Sequence, residues 1–75
     1  MHVRVKLMGV LKARTPPGGG LDVAEGATID DVLHALAIAP QSVQVFTVNG
    51  RFERDRGRAL AANDELAVVP PVGGG

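Results

Sequence analysis

The fold of this chain is decided by the stretch NDELAVVPPVGGG at positions 63–75. Asn63 and Asp64 predict a turn, because Asn is one of the few residues that tolerate left-handed backbone geometry. The apolar run at positions 65–69 then predicts a strand. Pro70 and Pro71 lack the backbone donors that strand pairing needs, so this strand must end before them.

The first third of the chain predicts a hairpin. Apolar and polar residues alternate over positions 3–8, which is typical of a strand with one buried face. The segment at positions 9–20 is rich in Pro and Gly, and these residues favour a loop over regular structure. The alternation resumes at positions 21–23 and predicts a short second strand that pairs with the first.

Positions 28–40 predict the single helix of the chain. Its apolar face follows the i, i+3, i+4, i+7 spacing of a helix and consists of Ile29, Val32, Leu33 and Leu36. Thr28 suits the N-cap, and Asp31 stands where it can complete a capping box. Pro40 disfavours helical geometry at the residue before it, so we expect a helix of about ten residues that ends there.

The remaining positions predict a second hairpin. β-Branched residues over positions 43–48 favour a strand. Asn49-Gly50 is the strongest turn signal in the chain and predicts that positions 51–53 run back as the other arm. Positions 54–62 are irregular and lead into the final strand.

This order of elements predicts an α+β fold, with one helix packed on a mixed sheet of about five strands. The last strand is too far from the second to form a simple hairpin with it. If it lies parallel to the first strand in the middle of the sheet, the chain closes as a β-grasp. We therefore expect one domain over residues 1–70, followed by a flexible Gly-rich tail over residues 71–75.

Composition excludes several classes of function. The 75 residues include 8 Lys or Arg, 8 Asp or Glu and no Cys. Balanced charge gives no basic field for nucleic acid or anionic membranes, and the absence of Cys excludes a disulfide framework or a thiolate metal site. No apolar run is long enough for a membrane span, and the N-terminus does not resemble a signal peptide. We expect a cytoplasmic domain without nucleic-acid or membrane partners.

The glycines form two triplets, Gly18–Gly20 and Gly73–Gly75, and each follows a Pro-Pro pair. The second triplet ends in the chain's carboxylate, which it presents without any side-chain bulk. A narrow channel in a partner protein could therefore admit it. The first triplet has no free carboxylate and no phosphate-loop spacing, so we interpret it as a loop.

The tail, Pro70–Gly75, resembles that of the MoaD/ThiS group of ubiquitin-like sulfur carriers. This group includes the small subunit of molybdopterin synthase and the thiamine-biosynthesis sulfur carrier. The resemblance continues upstream, since residues 28–33 are similar to the family's helix start and residues 48–50 and 63–66 to its second half. The Pro-Pro pair is more like the molybdopterin type and Val-Gly-Gly-Gly more like the thiamine type. Both pathways stay open, with molybdopterin slightly favoured.

The resemblance implies a specific chemistry at Gly75. A ubiquitin-activating-type enzyme would use ATP to adenylate the Gly75 carboxylate, and sulfur from a persulfide donor would displace AMP to leave a thiocarboxylate. An acceptor synthase, such as the molybdopterin synthase large subunit or thiazole synthase, would then take the sulfur. The chain would be a carrier and not an enzyme, with no bound cofactor. The residues implied to contact partners are Pro71, Val72, Gly73 and Gly74.

Two other functions fit the same sequence. One is a ubiquitin-like protein modifier, in which Gly75 would form an isopeptide bond with a lysine of a target protein. The other is a non-covalent interaction domain for which the tail is incidental.

Half of the chain's cations lie in one eight-residue segment: Arg51, Arg54, Arg56 and Arg58. The interleaved Glu53 and Asp55 favour a solvated loop, and the alternative is a docking patch for an acidic partner surface. Only one aromatic residue is near enough to stack on a base, which disfavours nucleic acid. The two histidines are far apart in sequence and have no companion ligands, so we expect no metal site.

Overall fold

The computed structural model describes residues 1–71, so Val72 and the last Gly triplet lie outside the described residues. It contains a five-stranded sheet and one α-helix, α1, at Ile29–Ala35. The strands are β1 His2–Leu7, β2 Gly20–Asp22, β3 Val45–Val48, β4 Arg51–Glu53 and β5 Glu65–Val69. Their order across the sheet is β2-β1-β5-β3-β4. This arrangement is the ubiquitin-like β-grasp, and the predicted fold class is confirmed.

The two central strands are parallel, although one begins the chain and the other ends the domain. In the β1–β5 ladder Val5 lies opposite Leu66 and Leu7 opposite Val68. β5 also pairs with β3, in the antiparallel sense. The last strand is therefore bonded on both sides, which is the central placement that the β-grasp required.

The sheet buries one face against the helix. The burial of β1 alternates strictly along the strand, with Val3, Val5 and Leu7 buried. They share one core with the predicted helix face of Ile29, Val32, Leu33 and Leu36. The predicted core is confirmed in this part.

Three further core residues are Leu11 and Leu60, from segments that were expected to be irregular, and Ile38, from the end of the predicted helix. Residues 9–20 are not a simple loop, because they form 3₁₀ helices at Gly9–Arg14 and Pro17–Gly19. The first of these buries Leu11. The segment before Leu60 crosses the start of α1, where the carbonyls of Arg58 and Arg56 accept from the backbone N–H groups of Ile29 and Asp30. It thus satisfies two donors that a helix N-terminus leaves without intrahelical partners.

The turn at Asn49-Gly50 is confirmed in type. Asn49 has φ 53° and Gly50 has φ 84°, and Val48 lies opposite Arg51. Positive φ at both central residues is the type I′ geometry that matches the twist of a two-residue hairpin.

The predicted helix length is wrong. Helix α1 spans 7 residues and ends at Ala35, well before Pro40. Ala37 takes φ 58°, and the N–H groups of Ala37 and Ile38 donate to the carbonyls of His34 and Leu33. This is a Schellman motif with Ala at the position that usually carries Gly. The apolar Ile38 enters the core and stabilises the termination, while Pro40 begins a separate 3₁₀ turn at Pro40–Ser42.

The Ala37→Gly substitution should raise the free energy of unfolding by about 1 kcal/mol, because Gly adopts positive φ without the steric cost that a Cβ imposes. Ala37 is exposed, so no apolar burial is lost. Urea denaturation measures the change. The matched control is Ala35→Gly, two residues earlier at the last position of the helix, which should lower the same quantity by about 0.5–1 kcal/mol. A destabilised Ala37→Gly protein would contradict the Schellman assignment.

A side-chain network fixes the start of β5. The Asp64 carboxylate accepts 2.8 Å hydrogen bonds from the Asn49 side-chain amide and from the Ala61 backbone N–H. The Asn49 side-chain oxygen in turn accepts from the Glu65 backbone N–H at 2.9 Å. The bond from Ala61 above all, then that from Asn49, holds the pKa of Asp64 below its ordinary value of 3.8.

A lowered pKa means that the folded state favours ionised Asp64. Its stabilising contribution is complete above about pH 5 and is lost as the pH falls through the lowered pKa. Asp64→Ala should reduce the free energy of unfolding by about 1 kcal/mol at pH 7, since the carboxylate is partly exposed and its bonds are screened by solvent. Urea titrations at pH 7 and pH 2.5 should show that the difference in free energy of unfolding between wild type and Asp64→Ala is smaller at the lower pH. A difference that stays constant would mean that the ionised carboxylate is not the stabilising group.

Candidate functional site

The root of the C-terminal tail is held on both sides at the end of β5. The Val69 carbonyl accepts from the Gln44 backbone N–H at 2.8 Å, and the Val68 carbonyl accepts from the Met8 backbone N–H at 3.1 Å. Pro70 is buried, whereas Pro71 is exposed. The ladder therefore fixes the chain up to the last residue before the proline pair.

Gly9 lies against the buried proline. Its φ is 55°, and a Cβ built on it would lie 3.1 Å from Cγ of Pro70. The Gly9 backbone thus approaches the Pro70 ring more closely than a side chain comfortably allows. Sequence reasoning missed this contact. A Gly after a strand indicates a turn, but no sequence pattern connects position 9 with position 70.

Of the residues predicted to contact partners, Pro71 is described by the structure and is exposed. Val72, Gly73, Gly74 and Gly75 lie outside the described residues. The first Gly triplet, in contrast, belongs to the described fold. Gly20 belongs to β2 and lies directly beside the His2 ring, with no room for a Cβ between them. The His2 imidazole is also 3.1 Å from the Asp22 carboxylate.

The sheet face opposite the helix carries an exposed aromatic side chain close to this root. Phe52 lies opposite Thr47, and Thr47 opposite Ala67. Because side chains alternate along a strand, these residues lie on the opposite face from the buried Phe46 and Val48.

Val45 and Val69, which are paired and half-buried, share that outer face. We call Val45, Phe52, Ala67 and Val69 the outer apolar face. Phe52 is 80% exposed, which is unusual for so large an apolar side chain.

The four clustered arginines are not equivalent. Arg56 lies 3.4 Å from the Asp30 carboxylate and Arg58 lies 3.3 Å from that of Glu53, in partly exposed ion pairs. Arg51 and Arg54 form no ion pair within residues 1–71. Arg54 and Arg56 line a cleft of about 570 Å³ together with Phe52, whereas Arg51 and Arg58 do not line it. The cleft reaches Gln44, next to the tail root, and its other lining residues include Pro40, Val43 and Phe46.

The described residues contain neither a cluster of metal ligands nor a membrane-spanning helix. No three His, Cys, Asp or Glu side chains are grouped there in a way that could hold a metal ion. Among residues 1–71, no helix has both the length and the apolar character needed to cross a bilayer.

The sequence matches one family model, that of the ThiS family, over residues 5–75. The chain belongs to the ThiS family. The match covers nearly the whole domain and continues through Gly75, so the expected resemblance to MoaD/ThiS proteins is confirmed. Among proteins of curated function, no sequence matches this chain.

Solved structures similar to this ThiS-family chain include an archaeal modifier protein and a chain of molybdopterin-converting factor. SAMP1 from Haloferax volcanii is 31% identical over 100% of both chains, with a TM-score of 0.72. Another structure, of the H. volcanii small archaeal modifier protein 1, is 29% identical over 95% of this chain and 98% of that one, with a TM-score of 0.71. A chain of the complex of subunits 1 and 2 of molybdopterin-converting factor from Helicobacter pylori is 19% identical over 100% of both chains, with a TM-score of 0.64. This last likeness shows the fold.

The two phenylalanines should respond to mutation in opposite ways. Phe52→Thr keeps a β-favouring residue at an exposed position, so the free energy of unfolding should change by less than about 0.5 kcal/mol. Phe46→Ala removes a buried ring and should cost about 3–5 kcal/mol. Chemical denaturation of both variants checks the contrast. A large loss of stability in Phe52→Thr would show that this side chain serves the fold and is not available to a partner.

Proposed function

We propose that this ThiS-family chain is a ubiquitin-like sulfur carrier that acts through a thiocarboxylate at Gly75. The family match through the C-terminal glycine is the observation that carries the proposal. The described structure supports it, because the ladder ends at Val69, and Pro71, four residues before Gly75, is exposed. No side chain of the sequence contains a thiol, so none can carry sulfur as a persulfide, and we assign the sulfur to the carboxylate of Gly75.

The proposed chemistry begins with activation. A Gly75 carboxylate oxygen attacks the α-phosphorus of ATP in an activating enzyme, and pyrophosphate leaves. A donor persulfide then attacks the Gly75 carbonyl carbon and displaces AMP, which gives an acyl disulfide. A second thiol then attacks the sulfur atom that belongs to the donor protein and breaks the S–S bond of the acyl disulfide. The second thiol and the donor are left joined by a disulfide, and the Gly75 thiocarboxylate is released. The chain is a co-substrate in these steps, and ATP belongs to the activating enzyme.

The absence of side chains from Gly73 to Gly75 suits this chemistry. An enzyme that activates the carboxylate must exclude water from the acyl-adenylate, and a narrow channel achieves this. A tail without Cβ atoms can enter such a channel without steric conflict. Pro71 and Val72 would lie at the channel entrance.

We propose that partners dock on the outer apolar face and the neighbouring arginines. Phe52 supplies an exposed aromatic anchor, and Arg54 supplies a cation with no ion-pair partner in the described residues. Aromatic and Arg side chains are the types enriched in interface hot spots. An acidic, apolar surface on the partner would complement them. The H. pylori relative, solved as a complex of two subunits, has the same fold and supports a synthase subunit as one partner.

The acceptor that we favour is a molybdopterin synthase large subunit in the cytoplasm, because of the Pro70-Pro71 pair. Thiazole synthase is the alternative acceptor. The Arg51 and Arg58 side chains lie outside the cleft and would contribute to docking only at its periphery.

A second function is favoured by different observations. The two H. volcanii structures are named as modifier proteins, and at 31% and 29% identity they are more similar in sequence than the H. pylori chain. In this alternative the activated Gly75 carbonyl is attacked by the ε-amine of a target lysine, and an isopeptide bond forms. Activation is the same in both cases, and only the nucleophile differs.

Activation should replace one oxygen of the Gly75 carboxylate with sulfur. Mass spectrometry after incubation with the cognate activating enzyme, ATP and a persulfide donor should map this increment to Gly75. A variant with one Gly added after Gly75 should show no increment, because the reactive carboxylate is displaced. The matched control inserts the same Gly between Gly18 and Gly19, in the short 3₁₀ segment Pro17–Gly19 that buries no residue, and should react normally. If wild-type protein gains no sulfur with any plausible activating enzyme, the carrier proposal is wrong.

The modifier alternative predicts a different product in cells. Immunoblots of native lysate should show covalent conjugates of higher mass that disappear when Gly74 and Gly75 are deleted. A carrier predicts no such ladder. Normal function after that deletion would instead support a non-covalent interaction domain.

A further inference from the structure

The two central strands bring the start of the chain to the root of its tail. β1 and β5 are parallel, so both end at the same edge of the sheet, with Leu7 opposite Val68. The residues that follow them, Met8-Gly9 and Val69-Pro70, therefore run side by side. The Met8 N–H donates to the Val68 carbonyl, and this is the last hydrogen bond on that side before Pro70.

Pro70 has no N–H to donate, and no backbone N–H of residues 1–71 donates to its carbonyl, so hydrogen bonding does not fix the chain direction at this residue. Packing of the Pro70 ring fixes it instead. Pro70 is buried, and Gly9 turns aside with φ 55° to begin the 3₁₀ helix Gly9–Arg14. A Cβ at Gly9 would lie 3.1 Å from Cγ and 3.9 Å from Cδ of the Pro70 ring. The proline ring has no free rotation by which it could move away.

We propose that Gly9 is a positioning residue, whose contact with Pro70 sets the direction in which the C-terminal tail leaves the fold. This inference rests on the proposed function, because direction matters only if a partner must hold the domain and the terminal carboxylate at once. Gly9 acts through Pro70 and never touches the reacting atoms.

When a partner holds the tail extended in its channel, the length of the tail magnifies any change in direction at its root. The five residues after Pro70 span at most about 17 Å when fully extended, so a rotation of about 10° at Pro70 moves the far end by about 3 Å. A misplacement of about 1 Å at a reacting centre is enough to cost about 100-fold in rate. Phe52, the proposed docking anchor of the outer apolar face, lies two strands away from β5 and keeps its geometry under such a rotation. The expected defect is therefore in kcat and not in KM.

The test compares glycines that share backbone geometry but differ in what surrounds them. Gly9→Ala places a Cβ against Pro70, whereas Gly26 has φ 79° and a Cβ there would meet nothing within 4 Å. Both variants place an L-residue at positive φ, and only the first pushes on the tail root. Gly9→Ala should lower kcat for thiocarboxylate formation by about ten-fold or more, with KM and the Gly26→Ala control changed less than about two-fold.

A double variant distinguishes positioning from a general loss of structure. Pro70→Ala removes the ring and with it the steric conflict. The Gly9→Ala/Pro70→Ala protein should therefore recover kcat to the level of Pro70→Ala alone. Pro70→Ala should itself be slower than wild type, because its tail root is no longer packed, and it remains informative if Gly9→Ala does not fold. An equal loss of kcat in Gly9→Ala and Gly26→Ala, or an unchanged kcat in Pro70→Ala, would overturn the inference.

Amide hydrogen exchange at Gln44 gives a readout that needs no activating enzyme. Gln44 donates to the Val69 carbonyl from the β3 side of β5, so Gly9 can affect it only through the tail root. Its exchange should be faster in Gly9→Ala than in Gly26→Ala. If wild-type protein is never activated, the proposed function fails, and this measurement still decides whether Gly9 controls the root. Unchanged Gln44 protection would show that it does not.

Discussion

The parallel pairing of β1 with β5 is the constraint on which the rest of the molecule depends. It places the most apolar strand between two neighbours and gives the core its buried rows, such as Val5 with Leu66 and Leu7 with Val68. It also requires the chain between them to cover the sheet, which is where α1 and the segment before Leu60 lie. Since both strands end at one edge, the tail leaves the domain beside the start of the 3₁₀ helix at Gly9.

Most of the fold could be predicted from local signals. The alternation in β1, the capping box at Thr28 and Asp31, and the Asn49-Gly50 turn each act within a few residues, and the structure contains all of them. The end of α1 could not be predicted in this way. An Ala in left-handed geometry is locally unfavourable, and the core burial of Ile38 stabilises it through tertiary contacts that no sequence window contains.

In the candidate site, too, some parts could be predicted from local sequence and others could not. The Gly-rich terminus and the arginine cluster are visible in the sequence because composition alone marks them. The exposure of Phe52 and the packing of Gly9 on Pro70 depend on strand register, which sequence reasoning did not resolve. Arg54 and Arg56 line one cleft with Phe52, whereas Arg51 and Arg58 do not, and no sequence pattern separates the four.

The central claim is that Gly75 carries sulfur as an acyl thio group. The most direct measurement is the intact mass of the protein isolated from the cells that produce it, followed by fragmentation of its C-terminal peptide. The account predicts a fraction of molecules in which one oxygen at Gly75 is replaced by sulfur, and this fraction should be removed by alkylation of the thiocarboxylate. A population that contains only free carboxylate and lysine-linked conjugates would contradict the account and favour a protein modifier.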